Sequence, residues 1–308
     1  MTLSVVSTLY KSKPFLDQFL IEIIEAIDAL EINTYEILFV NDGSPDDSLS
    51  FLIEKQKEIS QIKIIDLSRN FGHHYAMQAG LSEAKGDYVF LIDNDLETPP
   101  SFLIESYNML IKDETTDVVY GYQEERKGKF IENFGGRVFW WAINKFSDIQ
   151  VPKNILTERI MTKRYVKSLL ELGDANLFMG GMMHWTGYHQ IGLAVQKKVR
   201  EGESTYSASK RLQLMINALT SFSGKPLEYL FYFGLSLTFI SGLTIIGIFI
   251  RKFILNEGLQ LGWTSLITLN VMILGILSTF LGLMGIYIFK IFKQVQTRPN
   301  FIIKKIYE

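Results

Sequence analysis

Two aspartates separated by one residue, Asp93 and Asp95, follow the apolar run Tyr88–Ile92. Carboxylates this close repel each other unless a cation or hydrogen-bond donors compensate their charge. Magnesium and manganese prefer oxygen ligands and phosphate, so a metal that joins one carboxylate to a diphosphate explains the pair economically. The alternative is a solvated turn that leads into a helix near Pro99 and Pro100. This short motif alone does not decide between the two interpretations.

Small polar and acidic clusters also follow two other apolar runs. Residues 41–44 (NDGS) come after Tyr35–Val40, and residues 68–72 (SRNFG) come after Ile62–Leu67. No glycine-rich dinucleotide fingerprint stands at the end of the first run, Leu3–Leu9, and the chain contains no P-loop motif. These absences argue against nicotinamide enzymes and P-loop kinases.

Stretches with helical periodicity separate the apolar runs. This alternation predicts an α/β fold with a Rossmann-like, mostly parallel sheet and helices on both faces. Ligands of such sheets bind at the carboxyl ends of the strands, which is where the polar clusters lie. Gly180 and Gly181 predict a turn before a strand at Met182–Thr186. The helices are expected near Pro14–Leu30, Asp46–Ile59, His73–Ala84 and Pro100–Ile111, and a fifth strand at Asp117–Tyr120.

The composition of the 308 residues excludes several classes of protein. The absence of cysteine excludes a disulfide scaffold, a thiolate zinc site, an iron–sulfur cluster and a cysteine nucleophile. The formal net charge of −2 gives no support to nucleic-acid binding. Met1 leads directly into a strand-like run, so we expect no secretory signal. The four histidines, His73, His74, His184 and His189, lack carboxylates at metal-ligand spacing, although His73 or His74 would lie close enough to the polar loop 68–72 to touch a bound diphosphate.

The apolar residues are concentrated after Pro226. The segments Tyr229–Ile250 and Thr264–Phe289 contain no charged residue, and each exceeds the roughly 20 residues that cross a bilayer core. They predict two transmembrane helices. Lysines and arginines flank the pair more densely than they occupy the loop 251–263, which predicts that both chain ends lie in the cytoplasm. Glycines in both segments offer small-residue surfaces through which homo-oligomers would pack.

The stretch Ser207–Phe222, just before the first of these segments, places Leu212, Ile216 and Leu219 on one helical face and Lys210 off it. This pattern favours a helix that lies in the membrane interface. The alternative is an amphipathic helix packed on the soluble domain.

Several longer segments are specific when they occur together: Glu36–Ser44 (EILFVNDGS), Leu67–Gly72 (LSRNFG), Gly86–Pro100 (GDYVFLIDNDLETPP), Thr220–Leu227 (TSFSGKPL) and the ending GIYIFKIFKQVQTRPNFII. With them the chain resembles the family 2 glycosyltransferases of GT-A fold, in the branch that transfers sugars to polyprenyl phosphate. The branch includes dolichol-phosphate mannose synthases and bactoprenol glucosyltransferases. The resemblance implies a cytoplasmic GT-A domain at 1–200, an amphipathic interfacial region at 201–226, and a two-helix anchor with a basic tail at 227–308.

The resemblance also implies a nucleotide-sugar donor, Mg²⁺ or Mn²⁺, undecaprenyl phosphate as acceptor, and inversion at the anomeric carbon. Position by position, it implies that the donor is bound by Tyr10, Asp42, Arg69, Asp93 and Arg126. Asp93 and Asp95 are expected to hold the metal, and Asp95, Glu97 and Arg159 to act in catalysis. For Arg69 and Arg126 the alternative is an ordinary surface ion pair. We expect the acceptor phosphate to be neutralised by Arg159, Arg200 and Lys210.

The chain departs from the family pattern at several places. The family opening Pro-Val-Tyr-Asn-Glu is replaced by residues 8–12 (TLYKS), an arginine usual after the fifth strand is Gln123, and a lysine expected in Gly-x-Ser-Lys-Tyr is Thr205. Together with the change at Thr157, these departures indicate a donor sugar other than plain glucose. Thr157 replaces an aspartate often proposed as the general base. A lipid phosphate is already anionic, so either no base is needed or Glu158 or Glu97 takes that role.

The leading hypothesis is therefore a membrane-anchored transferase of the bacterial inner membrane. It would move one sugar from a nucleotide donor to undecaprenyl phosphate at the cytoplasmic face, for the synthesis or modification of surface polysaccharide. A second hypothesis keeps the donor but uses a lipid-linked saccharide, whose neutral hydroxyl needs a base. A third, from another class, is a non-catalytic membrane scaffold that retains the fold.

Overall fold

The computed structural model describes residues 2–123, 154–175, 177–195 and 263–308, with a few isolated positions between 227 and 250. The strands of this part are β1 Leu3–Leu9, β2 Tyr35–Asn41, β3 Ile62–Leu67, β4 Tyr88–Leu91, β5 Val118–Tyr122, β6 Ile155–Thr162, β7 Gln190–Ala194 and β8 Ile303–Tyr307. Its helices are α1 Leu16–Asp28, α2 Ser48–Gln56, α3 His73–Glu83, α4 Phe102–Lys112, α5 Lys163–Glu171, α6 Met179–Trp185 and α7 Trp263–Val295.

The strands form one sheet in the order β7-β5-β6-β4-β1-β2-β3-β8. The first four strands pair in parallel, and β5 pairs in parallel with β7. Two strands run the other way, since β6 is antiparallel to β4 and β5, and β8 is antiparallel to β3. The prediction of an α/β fold with a mostly parallel sheet is therefore confirmed, and the antiparallel strands are additions to it.

Helices cover both faces of the sheet because its strands bury side chains on both sides. On one face α1, α2 and α4 pack over a core that includes Phe19, Phe39 and Phe90. On the other face α3, α5 and α6 pack over a core that includes Met77 and Tyr165. Strands buried on both faces read as near-continuous apolar runs, which is why β1 to β4 could be predicted from sequence.

The predicted strand at Met182–Thr186 is wrong. Residues 179–185 form helix α6 although Gly180 and Gly181 lie inside it. Met179, Met182 and Met183 are all buried, and their spacing of three and four residues places them on one helical face. Burial of this face against the sheet outweighs the low helix propensity of the two glycines.

The predicted membrane-associated regions are only partly described. The first predicted span, 229–250, and the predicted interfacial helix, 207–222, fall almost entirely outside the described residues. The second predicted span, 264–289, lies within α7. In the described part of the chain, no helix has the combination of length and apolarity that crossing a membrane requires. The two-helix anchor stays a prediction.

Helix α3 approaches the sheet closely at Gly80. A Cβ atom added there would lie 2.4 Å from Cγ1 of Val6 and 2.9 Å from Cγ2 of Val40, which belong to β1 and β2. Only a hydrogen fits between the helix and these two strands. The close contact fixes α3, whose first turn borders the polar loops at the strand ends.

We expect Gly80→Ala to lower the free energy of unfolding by about 1–3 kcal/mol, because the added methyl group forces the helix and strands apart. The matched control is Gly180→Ala in α6, where the nearest atom to an added Cβ is 4.0 Å away. That variant should be at least as stable as the parent, because alanine has the higher helix propensity. Chemical denaturation of both variants measures the difference, and an equal loss in the two would contradict the close contact at Gly80.

Candidate active site

The polar clusters predicted from sequence meet at one edge of the sheet. Strand β2 lies between β1 and β3, with Asn41 paired to Leu9 on one side and to Asp66 on the other. Strand β4 pairs with β1 on its far side. The segments that follow these four strands are therefore neighbours, and they contain Tyr10, Asp42, the loop 68–72 and the aspartates 93 and 95.

Asp42 holds the loop that follows β3. Its Oδ1 accepts a hydrogen bond from the backbone N–H of Phe71 at 2.7 Å, and its Oδ2 accepts one from Gly72 at 3.0 Å. The Asn70 side chain donates to the backbone carbonyl of Asp42 at 3.0 Å. Burial raises the pKa of the Asp42 carboxyl above its usual value, although the two N–H groups oppose this shift. Asp42 thus positions the loop 68–72, and its predicted contact with the donor stays a prediction.

Gly43 lets the two loops touch. Its φ is +60°, and a Cβ atom at this position would lie 2.7 Å from the backbone nitrogen of Asn70. Ser44, the next residue, donates its backbone N–H to Oδ1 of Asn41 at 3.1 Å and accepts the N–H of Lys11 at 2.8 Å. The sequence NDGS therefore joins the ends of β1, β2 and β3 into one surface.

Asn94, the residue between Asp93 and Asp95, fixes the position of this pair of aspartates. The Asn94 side chain is buried and donates to the backbone carbonyl of Thr8 at 2.7 Å and to the Ser7 hydroxyl at 3.2 Å. Asp93 and Asp95 are both partly exposed. Oδ1 of Asp95 accepts the N–H of Glu97 at 3.1 Å, across a turn in which Leu96 has a φ of +59°. A leucine in this left-handed conformation is rare, and such strain concentrates at functional sites.

The chemistry of these side chains fits a divalent cation that also binds a diphosphate. Asp93 and Asp95 supply carboxylate oxygens at a partly exposed edge, the ligand type that Mg²⁺ and Mn²⁺ prefer. Among the described residues no group of three or more potential metal ligands is assembled. Such cations commonly complete their coordination with water and substrate phosphates, so two protein carboxylates suffice.

His73 belongs to this site, and its neighbours assign it a role that sequence reasoning left open. Its Nδ1 lies 2.9 Å from the Thr8 hydroxyl, and its Nε2 lies 3.5 Å from Oδ1 of Asp93. Burial lowers the pKa of the ring, while the negative charges of Asp42, Glu158 and Asp95 raise it by less. We assign a neutral ring that accepts from Thr8 and directs its Nε2–H toward Asp93. The pairing of residues 8 and 73 carried no signal in the sequence.

Two more of the predicted donor residues, Tyr10 and Arg69, lie on the outside of the same edge. Tyr10 is 52% exposed, and Lys11 beside it has a φ of +57°. The Arg69 guanidinium stacks on the Phe71 ring at 4.0 Å and donates to the Asn70 carbonyl at 3.0 Å. Arg69 is therefore held by its own loop, and no described carboxylate forms an ion pair with it. Arg126, Arg200 and Lys210 lie outside the described residues.

Arg159 lies close to this edge but inside the protein. Strand β6 pairs it with Leu91, two residues before Asp93, and with Tyr120. The side chain is 1% exposed and donates to the carbonyls of Thr157 at 3.0 Å and Leu156 at 2.8 Å. Burial lowers its pKa, against the opposing effect of neighbouring groups. Its Nη1 has no hydrogen-bond partner among the described residues. A phosphate reaches this group only if side chains around it move, so its predicted acceptor contact stays a prediction.

The family pattern of Glycosyl transferase family 2 matches residues 4–168, more than half of the chain. The chain belongs to glycosyl transferase family 2. The matched range contains the polar loops described above and ends beyond Arg159. Membership establishes that the protein is a glycosyltransferase with a GT-A-like α/β fold.

Relatives of this family 2 enzyme match nearly its whole length. A glycosyltransferase of Mycobacterium tuberculosis (strain CDC 1551 / Oshkosh) is 38% identical over 307 residues, 100% of this chain and 89% of the relative. The SfII prophage-derived bactoprenol glucosyl transferase of Shigella flexneri is 30% identical over 283 residues, 89% of each chain. The undecaprenyl-phosphate 4-deoxy-4-formamido-L-arabinose transferase of Edwardsiella ictaluri is 27% identical, over 98% of this chain and 93% of the relative.

The similarity to solved structures is lower. Glucosyl-3-phosphoglycerate synthase from Mycobacterium tuberculosis, in complex with Mn²⁺, uridine-diphosphate-glucose and phosphoglyceric acid, aligns with a TM-score of 0.49 and 18% sequence identity. The alignment covers 71% of this chain and 79% of that chain.

We expect Gly43→Ala to weaken the binding of nucleoside diphosphate roughly tenfold, because the new methyl group pushes the loop 68–72 away from Asp42. Gly187→Ala is the matched control, since Gly187 also has a positive φ of +76° but an added Cβ there meets nothing within 4 Å. Both variants place a Cβ atom on a residue with a positive φ. Calorimetric titration with UDP and GDP should show weaker binding only for Gly43→Ala.

We further expect Thr8→Val to weaken nucleotide binding several-fold, because the ring of His73 loses the hydroxyl that orients it toward Asp93. Thr8→Ser keeps the hydroxyl and should retain parental affinity. His73→Phe should weaken binding as much as Thr8→Val, and the double variant should be no worse than either, as residues in one network are not additive. Additive losses would show that the two residues act separately.

Proposed function

We propose that this family 2 glycosyltransferase moves one sugar from a nucleotide donor to a polyprenyl phosphate, with inversion at the anomeric carbon. The proposal rests on one observation. The Asp93–Asp95 pair lies at the same edge of the sheet as the NDGS turn and the loop 68–72, which Asp42 joins. This edge offers carboxylates for a metal–diphosphate complex next to an ordered loop. The named activities of the Shigella flexneri and Edwardsiella ictaluri relatives support a polyprenyl-phosphate acceptor.

On this proposal Asp95, with Asp93, would hold Mg²⁺ or Mn²⁺ at the donor diphosphate. Such a cation stabilises the negative charge that develops on the departing nucleoside diphosphate. Asp42 keeps the loop 68–72 in place, and His73 keeps Asp93 directed toward the site. Tyr10 and Arg69, both at the surface of the edge, are available to the nucleotide. Glu97 is held beside Asp95 because its backbone N–H donates to Oδ1 of Asp95.

The acceptor chemistry requires positioning more than base catalysis. A phosphate monoester is ionised at neutral pH, so its oxygen attacks the anomeric carbon without losing a proton to the protein. Thr157, which by the family resemblance replaces an aspartate proposed as the base, accepts the Nε–H of Arg159 through its backbone carbonyl. Thr157 has no carboxylate that could accept the proton of a hydroxyl acceptor. The sequence thus suits a phosphate acceptor better than a hydroxyl.

We also propose that the enzyme works at the cytoplasmic face of a membrane. The charge distribution along the chain supports this orientation. Helix α7 adds support, because it exposes large apolar side chains along its C-terminal half, including Leu281 at 69%, Ile291 at 63% and Val295 at 73% exposure. An exposed apolar surface of this kind marks a membrane or protein contact. Undecaprenyl phosphate, as a lipid, would reach the site from this side.

A product assay tests the proposal. Detergent-purified enzyme is incubated with undecaprenyl phosphate, Mn²⁺ or Mg²⁺ and a panel of nucleotide sugars, and the lipid is analysed by mass spectrometry. We expect a gain of one sugar that disappears with a chelator. Asp95→Asn should lower kcat/KM on the order of 100-fold or more, because the metal loses a charged ligand.

Asp17→Asn is the control for the loss of one carboxylate, since Asp17 lies on α1 with a side chain that is 64% exposed. It should retain full activity. Transfer to a lipid-linked saccharide, with none to the lipid phosphate, would overturn the proposed acceptor. A sugar gain that survives both the chelator and Asp95→Asn would overturn the role of the metal.

A further inference from the structure

The segment that follows α7 packs against the domain that carries the proposed donor site. We call the sheet edge with Tyr10, Asp42, the loop 68–72, Asp93 and Asp95 the donor edge. Gln294, near the end of α7, donates to the carbonyl of Gly173 at 3.0 Å and accepts the N–H of Ala175 at 2.8 Å. Asn300 donates to the side chain of Gln78 and to the carbonyl of Asp174, both at 2.9 Å. These contacts fasten the segment to helix α3 and to the loop after α5.

Strand β8 then completes the sheet beside β3. Ile306 pairs with Ile65 and Ile303 with Leu67, with an irregularity between Asp66 and Leu67. The carbonyl of Ile302 accepts the N–H of Ser68 at 2.9 Å. Ser68 is the first residue of the loop that Asp42 holds at its other end. The loop is therefore fixed from two directions, by β2 and by the C-terminal segment.

A second connection runs through side chains. Nζ of Lys304 lies 3.2 Å from Oδ2 of Asp66, whose side chain is only 4% exposed. Oδ1 of Asp66 accepts from the Asn41 side chain at 2.7 Å, and Oδ1 of Asn41 accepts the N–H of Ser44 at 3.1 Å. A buried carboxylate is stable as an anion only when it is paired and hydrogen-bonded, and Lys304 supplies the charge. This series of contacts, from Lys304 through Asp66 and Asn41 to Ser44, links β8 to the NDGS turn at residues 41–44.

We propose that strand β8 is a positioning element of the donor site, with Lys304 as its main positioning residue. Lys304 acts through Asp66 and Asn41 on the NDGS turn, while Ile302 holds the start of the loop 68–72. Because β8 follows α7 directly, the position of α7 relative to the sheet bears on the nucleotide site. The inference rests on the proposed function only in naming the ligand as a nucleotide. The ordering of the NDGS turn and the loop 68–72 by β8 does not depend on which ligand binds.

The test compares full-length variants purified in detergent. In Lys304→Met the Asp66 charge loses its partner, so amide exchange of the peptide covering residues 68–72 should accelerate about tenfold without any ligand. The dissociation constant for the nucleoside diphosphate that binds the parent, UDP or GDP with Mn²⁺, should rise by a similar factor. Lys304→Arg should restore both values. A merely stabilising strand would change the melting temperature and neither of these local readouts.

Lys305→Met is the matched control in the same strand. Its Nζ lies 4.2 Å from the centre of the Tyr307 ring, and it should show parental loop exchange and affinity. A double-variant cycle adds Asn41→Leu, and the effects of Lys304 and Asn41 should be non-additive although no contact joins the two side chains directly.

Unchanged loop exchange in Lys304→Met, or equal acceleration in Lys305→Met, would overturn the inference. If exchange responds as expected but no nucleotide binds the parent, the positioning role stands and the proposed function fails. If nucleotide binds the parent and its affinity is the same in Lys304→Met, the proposed function stands and the positioning role fails.

Discussion

The carboxylate of Asp42 satisfies two backbone N–H groups that lie between the end of β3 and the start of α3, and the donor edge is arranged around this contact. A loop at that point has no strand or helix partner, and buried N–H groups left unpaired are costly. Because Asp42 accepts these hydrogen bonds, the end of β2 lies against the loop 68–72. That close approach in turn requires glycine at position 43 and gives the edge a defined surface.

Hydrogen bonds to neighbouring elements also orient the other members of the site. Asn94 uses its side chain to tie the aspartate pair to the end of β1, which leaves Asp93 and Asp95 partly exposed. His73 bridges from α3 to Asp93 with its ring oriented by Thr8. Asp93 is thus oriented by a neutral ring from another element and Asp95 by a backbone N–H of its own turn, and the negative charge needed to bind a cation is retained.

Much of the fold could be predicted from the sequence because the first four strands are buried on both faces. Runs such as Ile37–Val40 are apolar throughout, and helical periodicity separates them. Strand β6 escaped prediction because Thr157, Glu158 and Arg159 stand in its middle, a pattern typical of a loop. It is a strand because β4 and β5 supply its backbone partners, and such tertiary context outweighs intrinsic preference. Strand β8, with two lysines, was missed for the same reason.

The site could be predicted as a set of strand ends but not as a set of contacts. The motifs placed Asp42, Asp93 and Asp95 at the correct edge, since parallel strands bring their carboxyl ends together. No motif reveals that Asp42 turns both oxygens to its own chain, or that Arg159 is buried. Those facts depend on which loop packs where, and residues far apart in sequence decide it. The pairing of Thr8 with His73 is the clearest case.

The place of β8 at the edge of the sheet has a consequence for how the protein is made. This strand follows every other described element in the sequence, so it leaves the ribosome after all of them. Until then the outer edge of β3 has unpaired backbone groups that invite pairing with other chains. Contacts between such distant segments also form slowly, because a long loop must close first. A nascent chain therefore has the seven described strands that precede β8 before the segment that closes the edge is present, and until then Ser68 lacks its contact with Ile302.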